Sequence, residues 1–292
     1  IYTFSLHDAL PIFQEKTEME RLRVQNNLLA CYETPVFNQI FSGRQNLAVL
    51  DIGCNDGMKT VERFSSEAVS RVIGLEYNEK LATKAQQSYG DEKFSFYAFD
   101  VEAEDFAEKL RTIMKIEQID GFDVIYLSFV LMHLGDVNKL LVSIRPFLKT
   151  EGKLVIIEAN DSASYLSHDK QGLLGEFLKI LKKDKYSGNR EVGASICSIL
   201  PECGYENICV WHDCVSASGR EREKKKAIFS TFFSYLSEDV LLLLESEPEN
   251  EEYKSWAEWL DCYYKTLKRL ILQKKSTISM GIKLLTCTKG GE

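Results

Sequence analysis

No stretch of this chain approaches the roughly 20 consecutive apolar residues that a membrane-crossing helix requires. The longest, Val240 to Leu244, is a fragment of a helix. The eight cysteines form no C-x-x-C pair and no zinc-type spacing, so neither a structural metal nor a redox dithiol is indicated. Reduced, mostly buried thiols of a cytoplasmic protein are the simpler expectation. Positive charge is scarce: 36 Lys and Arg face 44 Asp and Glu, a net charge of -8. That balance argues against a surface built to wrap nucleic acid, which needs a basic stripe. The G-x-G-x-x-G turn of dinucleotide sites is missing too, which counts against a nicotinamide-dependent oxidoreductase.

What is present is enough for a sizeable core. Of 292 residues, 45% are hydrophobic, which suits one large domain or a domain with an insertion. The chain is organised around Val49-Leu50-Asp51-Ile52-Gly53-Cys54-Asn55-Asp56-Gly57. An apolar run ends in an acid, passes through a small-residue turn, and enters a helical pattern at Met58. Strand, tight turn and helix start should bring backbone N–H groups and a helix dipole to face a ligand. Gly53 allows the sharp turn, and Gly57 allows the helix to pack close. Asp51, an acceptor-only group at the strand end, suits a ligand carrying an ammonium or hydroxyls better than a pyrophosphate.

VLDIGCNDG resembles the first motif of class I S-adenosylmethionine-dependent methyltransferases, acid-x-Gly-x-Gly-x-Gly, with Asn55 in place of the middle glycine. The resemblance implies an α/β fold: a doubly wound, Rossmann-like, seven-stranded sheet with an N-terminal helical cover and a helical insertion before the last strand. It implies S-adenosylmethionine as cofactor and methyl transfer to a small-molecule acceptor. A second apolar run, Arg71 to Leu75, ends in Glu76 about 20 residues past the glycines, the offset at which an acid accepts from ribose hydroxyls. In the family the acid at this position does that job, with Tyr77 beside adenine or ribose. Asp100, after the third strand (Phe94 to Ala98), corresponds to the acid that meets the adenine amine, with Val101 adjacent; helix capping is its compatible second role. Ser128 ends the fourth strand, Phe122 to Ser128. With Asp51, Gly53, Cys54, Asn55 and Gly57 these residues make up the expected cofactor set. The Asn/Asp-Pro-Pro-aromatic signature of enzymes that methylate DNA amines is absent after this strand.

His133 is a candidate general base, though in the family this histidine is commonly structural. Tyr32, Asp161, Tyr165 and Arg190 are candidates for the substrate pocket. For each a bland role competes: core packing for Tyr32, an ordinary loop for Asp161 and Tyr165, a loop anchor for Arg190. His212 lies between Cys209 and Cys214, but a strand sends 209 and 212 to opposite faces, so no metal is expected.

In chain order, Ile1–Phe13 resembles translated sequencing-adapter sequence at the end of a metagenomic, bacterial reading frame, and residues 1–13 are set aside as non-native. Residues 14–45 form the helical cover, with Pro35 breaking its helix into two. Residues 46–219 form the methyltransferase core. Residues 220–275 form a helical insertion of two main helices, a lid or a surface for a homodimer, in which Arg220 to Lys226 reads as a solvated helix start. Residues 276–292 supply the closing strand and tail. The competing reading is a non-catalytic, cofactor-binding regulatory or interaction protein, once fused to an upstream module.

Overall fold

The computed structural model describes residues 15–291; the stretch read as non-native lies outside them. The chain forms two compact units, neither continuous in sequence. One is an α/β unit made of Tyr32–Glu158, Val192–His212 and the chain from Lys283 on. The other, mainly helical, comprises residues 15–31, Ala159–Glu191 and Asp213–Ile282.

In the α/β unit, β1 (Leu47–Ile52) is buried at every position, with β2 (Val69–Glu76) on one side and β4 (Phe122–Ser128) on the other, both parallel to it. Strand β3 (Phe94–Ala98) pairs with β2, and β5 (Leu148–Ala159) pairs with β4, again in parallel. The near-continuous apolar runs of these strands reflect cover on both faces. Phe106, Leu110, Ile113 and Met114 of α4 (Phe106–Ile116) pack in one core with Leu140, Leu141 and Ile144 of α5 (Val137–Ile144). Val192, Ile196 and Leu200 of α7 (Val192–Glu202) join them. A second cluster joins Phe37 of α1 (Glu15–Phe41), Phe64 of α2 (Met58–Phe64) and Tyr126 of β4, edge to face at 5.1–5.7 Å. Asn78 caps α3 (Glu79–Tyr89) by accepting the N–H groups of Lys80 and Leu81.

The strand order is β3-β2-β1-β4-β5-β8-β6, with β7 (Tyr205–Ala217) paired to β8 (Ile278–Lys289). The order reverses at β1 and β4, so their carboxyl ends flank the crevice where such sheets bind ligands. The seven expected strands are joined by an eighth, the two-residue β6 (Tyr165–Leu166), antiparallel to β8.

Pro35 does not divide α1, contrary to the sequence expectation: the helix runs unbroken from Glu15 to Phe41. The proline removes one backbone hydrogen bond, but Val36, Phe37, Ile40 and Phe41 beyond it are all buried. Tertiary packing outweighs the local penalty.

The helical unit contains α6 (Leu173–Lys183), α8 (Arg222–Phe233), α9 (Leu236–Ser246) and α10 (Glu251–Leu272). The 220–275 stretch thus holds three helices, the first expected helix being interrupted at Ser234 and Tyr235. By length and composition, Arg222–Ser246 is apolar enough to cross a membrane, which a search for uninterrupted apolar runs overlooks. Half of its most apolar window is buried inside the protein. There Phe233 stacks on Phe229 and meets Phe177 of α6 at 4.7 Å. Lys225 is no solvated helix start either: it is fully buried, donating to the carbonyls of Gly219, Gln273 and Ser276.

This unit also buries a polar group. Asp184 accepts from the Ser187 hydroxyl at 2.6 Å and the Tyr186 N–H at 3.1 Å. Burial first, and then the neighbouring Asp184 charge, push the Asp239 carboxyl up to about 9. A folded pKa above the ordinary 3.8 means the folded state holds a proton the unfolded chain gives up. The stability this group contributes is therefore complete in acid and declines as pH rises through about 9. Melting temperature measured across that range should fall for the wild type, and Asp239→Asn should flatten the slope; equal slopes would refute the assignment.

Candidate functional site

The turn after β1 is built from two glycines at positive φ, Gly53 (+76°) and Gly57 (+78°), with Asn55 also left-handed at +52°. Space enforces glycine as strictly as conformation. A Cβ on Gly53 would lie 2.5 Å from a Val130 methyl, and one on Gly57 would lie 2.9 Å from both Ala85 Cβ and the Phe96 ring. Gly57 thereby lets α2 start against α3 and β3.

The expected array of ligand-facing N–H groups is not there. Gly53 and Cys54 donate to the Leu75 carbonyl, and Gly57 donates to the Cys54 carbonyl. Asn55 N–H donates to Glu76 Oε2 at 2.9 Å, Asp56 N–H to Asn55 Oδ1, and Met58 N–H to Asp56 Oδ1. Every backbone donor from 53 to 58 is engaged within the turn or by the end of β2, so the loop is no phosphate cradle. What it leaves for a ligand are acceptors.

Asp51 is 2% exposed, and its Oδ2 accepts from the Thr60 hydroxyl at 2.6 Å. Burial pushes its carboxyl up to about 7, against the Thr60 bond and the Lys59 charge, which pull it down. Glu76 is held at both oxygens, by Asn55 N–H and by Asn78 N–H at 2.9 Å each. Burial raises its pKa as well, opposed by these two bonds. Each of its oxygens retains a second lone pair for a ligand. Asp100 Oδ1 accepts from Glu102 N–H at 2.9 Å, the turn-forming role expected alongside base recognition. Tyr77 and Val101 are half-buried next to these acids, and Cys54 is buried, its thiol pushed well up by burial. The Ser128 hydroxyl, at the end of β4, accepts from Lys59 Nζ at 2.7 Å.

Beneath the turn lies a charged cluster that sequence reasoning missed. Glu33 of α1 is completely buried and accepts from Lys59 Nζ at 2.9 Å, Arg63 Nε at 2.7 Å and the Tyr126 hydroxyl. The only sequence signal was a Lys and an Arg one helical turn apart on α2; their partner is some 30 residues away on another helix.

Two further candidates, His133 and Tyr32, belong to the α/β unit. His133 is exposed at the end of a single 3-10 turn, Leu131–His133. Tyr32 packs against His212, ring centroids 4.9 Å apart, edge on. Asp161, Tyr165 and Arg190 belong to the helical unit. There Arg190 grips Asp161 through two bonds of 2.6 and 2.9 Å and donates a third to the Tyr235 hydroxyl at 3.0 Å. That geometry makes it a loop anchor rather than a grip for an anionic substrate. Tyr165 is exposed. Among the described residues, no three His, Cys, Asp or Glu are grouped to hold a metal.

A mostly parallel sheet of this order, with acids at the ends of β1 and β2 and a glycine turn into α2, defines a Rossmann-like methyltransferase fold. The model of the methyltransferase-domain family matches residues 44–226, and the chain belongs to that family, a class I S-adenosylmethionine-dependent methyltransferase. Among solved structures it is similar to the YcgJ protein from Bacillus subtilis, with 15% identity over 89% of this chain and 98% of that one, TM-score 0.51. It is also similar to a Bacillus halodurans C-125 protein assigned as a methyltransferase, with 14% identity over 88% and 99%, TM-score 0.51. Identity this low speaks to the fold alone. No curated protein matches the chain in sequence.

Proposed function

We propose that the α/β unit binds S-adenosylmethionine at the carboxyl ends of β1, β2 and β4, and that the protein transfers its methyl group to a small-molecule acceptor. The observation that carries the site is the reversal of polarity in the turn: backbone donors are internally consumed, while Asp51, Glu76 and Asp100 present acceptors. A ligand with an ammonium, a ribose diol and an exocyclic amine matches that set, and a pyrophosphate does not. In this reading Asp51 takes the ammonium, Glu76 the ribose hydroxyls and Asp100 the adenine amine. Gly53, Cys54, Asn55 and Gly57 shape the turn around the nucleoside, and Tyr77, Val101 and Ser128 line it.

The bound cofactor supplies a sulfonium methyl group open to in-line displacement. The chain's part is to hold the cofactor, align the acceptor and exclude water. A base is needed only for acceptors that must lose a proton, and His133 is the candidate.

Calorimetric titration with S-adenosylmethionine, S-adenosylhomocysteine and NAD tests the site. Both sulfur nucleosides should bind and NAD should not. Asp51→Ala and Glu76→Ala should each weaken binding about 10- to 100-fold, the worth of a charged hydrogen bond. A folded protein that binds neither sulfur nucleoside sinks the proposal. Methyl transfer in an acceptor screen separates the enzyme from a non-catalytic binder.

A further inference from the structure

The cofactor's methionyl end is a zwitterion, so its carboxylate needs a cation next to whatever takes its ammonium. We propose that Lys59 is that cation. The assignment rests on the cofactor reading above and extends it to a residue outside the motif acids and glycines.

Three observations lead there. Lys59 is the second residue of α2, and its side chain reaches Ser128 Oγ, 2.7 Å away at the carboxyl end of β4. Its chain neighbour Thr60 is bonded to Asp51, and the charges of Lys59 and Asp51 act on one another. A cation bonded to Ser128 and within electrostatic reach of the ammonium acceptor Asp51 is what the two groups on one α-carbon require. Finally, Lys59 shares its counter-ion, and its Nζ lies 5.2 Å from the Tyr126 ring centroid. Its counter-ion Glu33 is divided among Lys59, Arg63 and the Tyr126 hydroxyl. An ammonium has three donors, and Glu33 and Ser128 occupy two of them. With its side chain only 14% exposed, water cannot fully serve the remaining charge.

The test compares S-adenosylmethionine with its decarboxylated analogue by calorimetry, so the readout is binding and not turnover. Wild-type protein should prefer the carboxylated ligand about 10- to 100-fold, as a charge-assisted hydrogen bond dictates. Lys59→Met should lose that preference and bind the two ligands alike; Lys59→Arg should retain it. Should Lys59→Met fail to fold, Lys59→Gln, which keeps a polar group beside Ser128 and leaves Glu33 paired with Arg63, reads the same ratio. A preference that survives in the Met or Gln variant overturns the assignment of Lys59 and leaves the cofactor site standing. Absence of S-adenosylmethionine binding by the wild type overturns both.

Discussion

Replacing Glu33 by alanine is expected to destabilise the protein by about 3–5 kcal/mol, the usual cost of removing one partner from a buried ion pair. The carboxylate is 0% exposed, and the groups it would abandon, Lys59 and Arg63, have side chains only 14% and 7% exposed. Neither cation can be rehydrated without unseating α1 from α2. Burial pushes the Glu33 carboxyl up, but the Lys59 and Arg63 charges outweigh it and hold the group below its ordinary range. A depressed folded pKa contributes stability above the ordinary carboxylate range and loses it as pH falls. Urea midpoints at neutral pH should therefore separate wild type from Glu33→Ala widely, and the gap should narrow in acid. Glu33→Gln, which keeps the shape and some hydrogen bonds, should fall between. A loss below about 1 kcal/mol would mean that both cations find water, which the buried geometry forbids.

The second large effect is on ligand binding. Affinity for S-adenosylmethionine should fall about tenfold for each pH unit below about 7, because only ionised Asp51 accepts the ligand's ammonium. The same shift acts on folding with the opposite sign. A carboxyl raised above its ordinary 3.8 favours the folded state in acid, and that contribution fades as pH climbs through about 7. Binding and stability should thus trend in opposite directions with pH, which general acid damage would not produce. Titrations from pH 5 to 9 check this, with Asp51→Asn expected to bind weakly and without the slope. A flat wild-type profile would remove Asp51 from ammonium recognition.

The sheet and the turn are legible in the sequence because each is written locally. Leu47 to Leu50 and Val124 to Leu127 are apolar runs that suit a doubly covered strand, and Gly53 and Gly57 mark left-handed backbone where an added Cβ would clash. The ammonium-lined underside of the turn is not legible, since Glu33, Lys59 and Tyr126 come from three elements and look like ordinary surface or core residues in a linear reading. Helix α6 goes unnoticed between two loops, although Leu173, Leu174, Phe177, Ile180 and Leu181 follow helical spacing. The destination of the turn's N–H groups is equally hidden: that Asn55 serves Glu76 depends on how β1 and β2 align. Pairing, unlike periodicity, leaves no trace in one chain.

The position of β8 has a consequence for how the molecule is made. This strand, running to Lys289, fills a place in the sheet between β5 and β6. From the moment Ala159 leaves the ribosome until Ile278 does, β5 waits with one edge unpaired. At on the order of ten residues per second that interval is roughly ten seconds, far longer than the microseconds in which a hairpin closes. Strand edges left open in nascent chains invite aggregation. Slow synthesis, which helps proteins that fold from the N-terminus onward, would therefore prolong the state in which this chain's sheet is open.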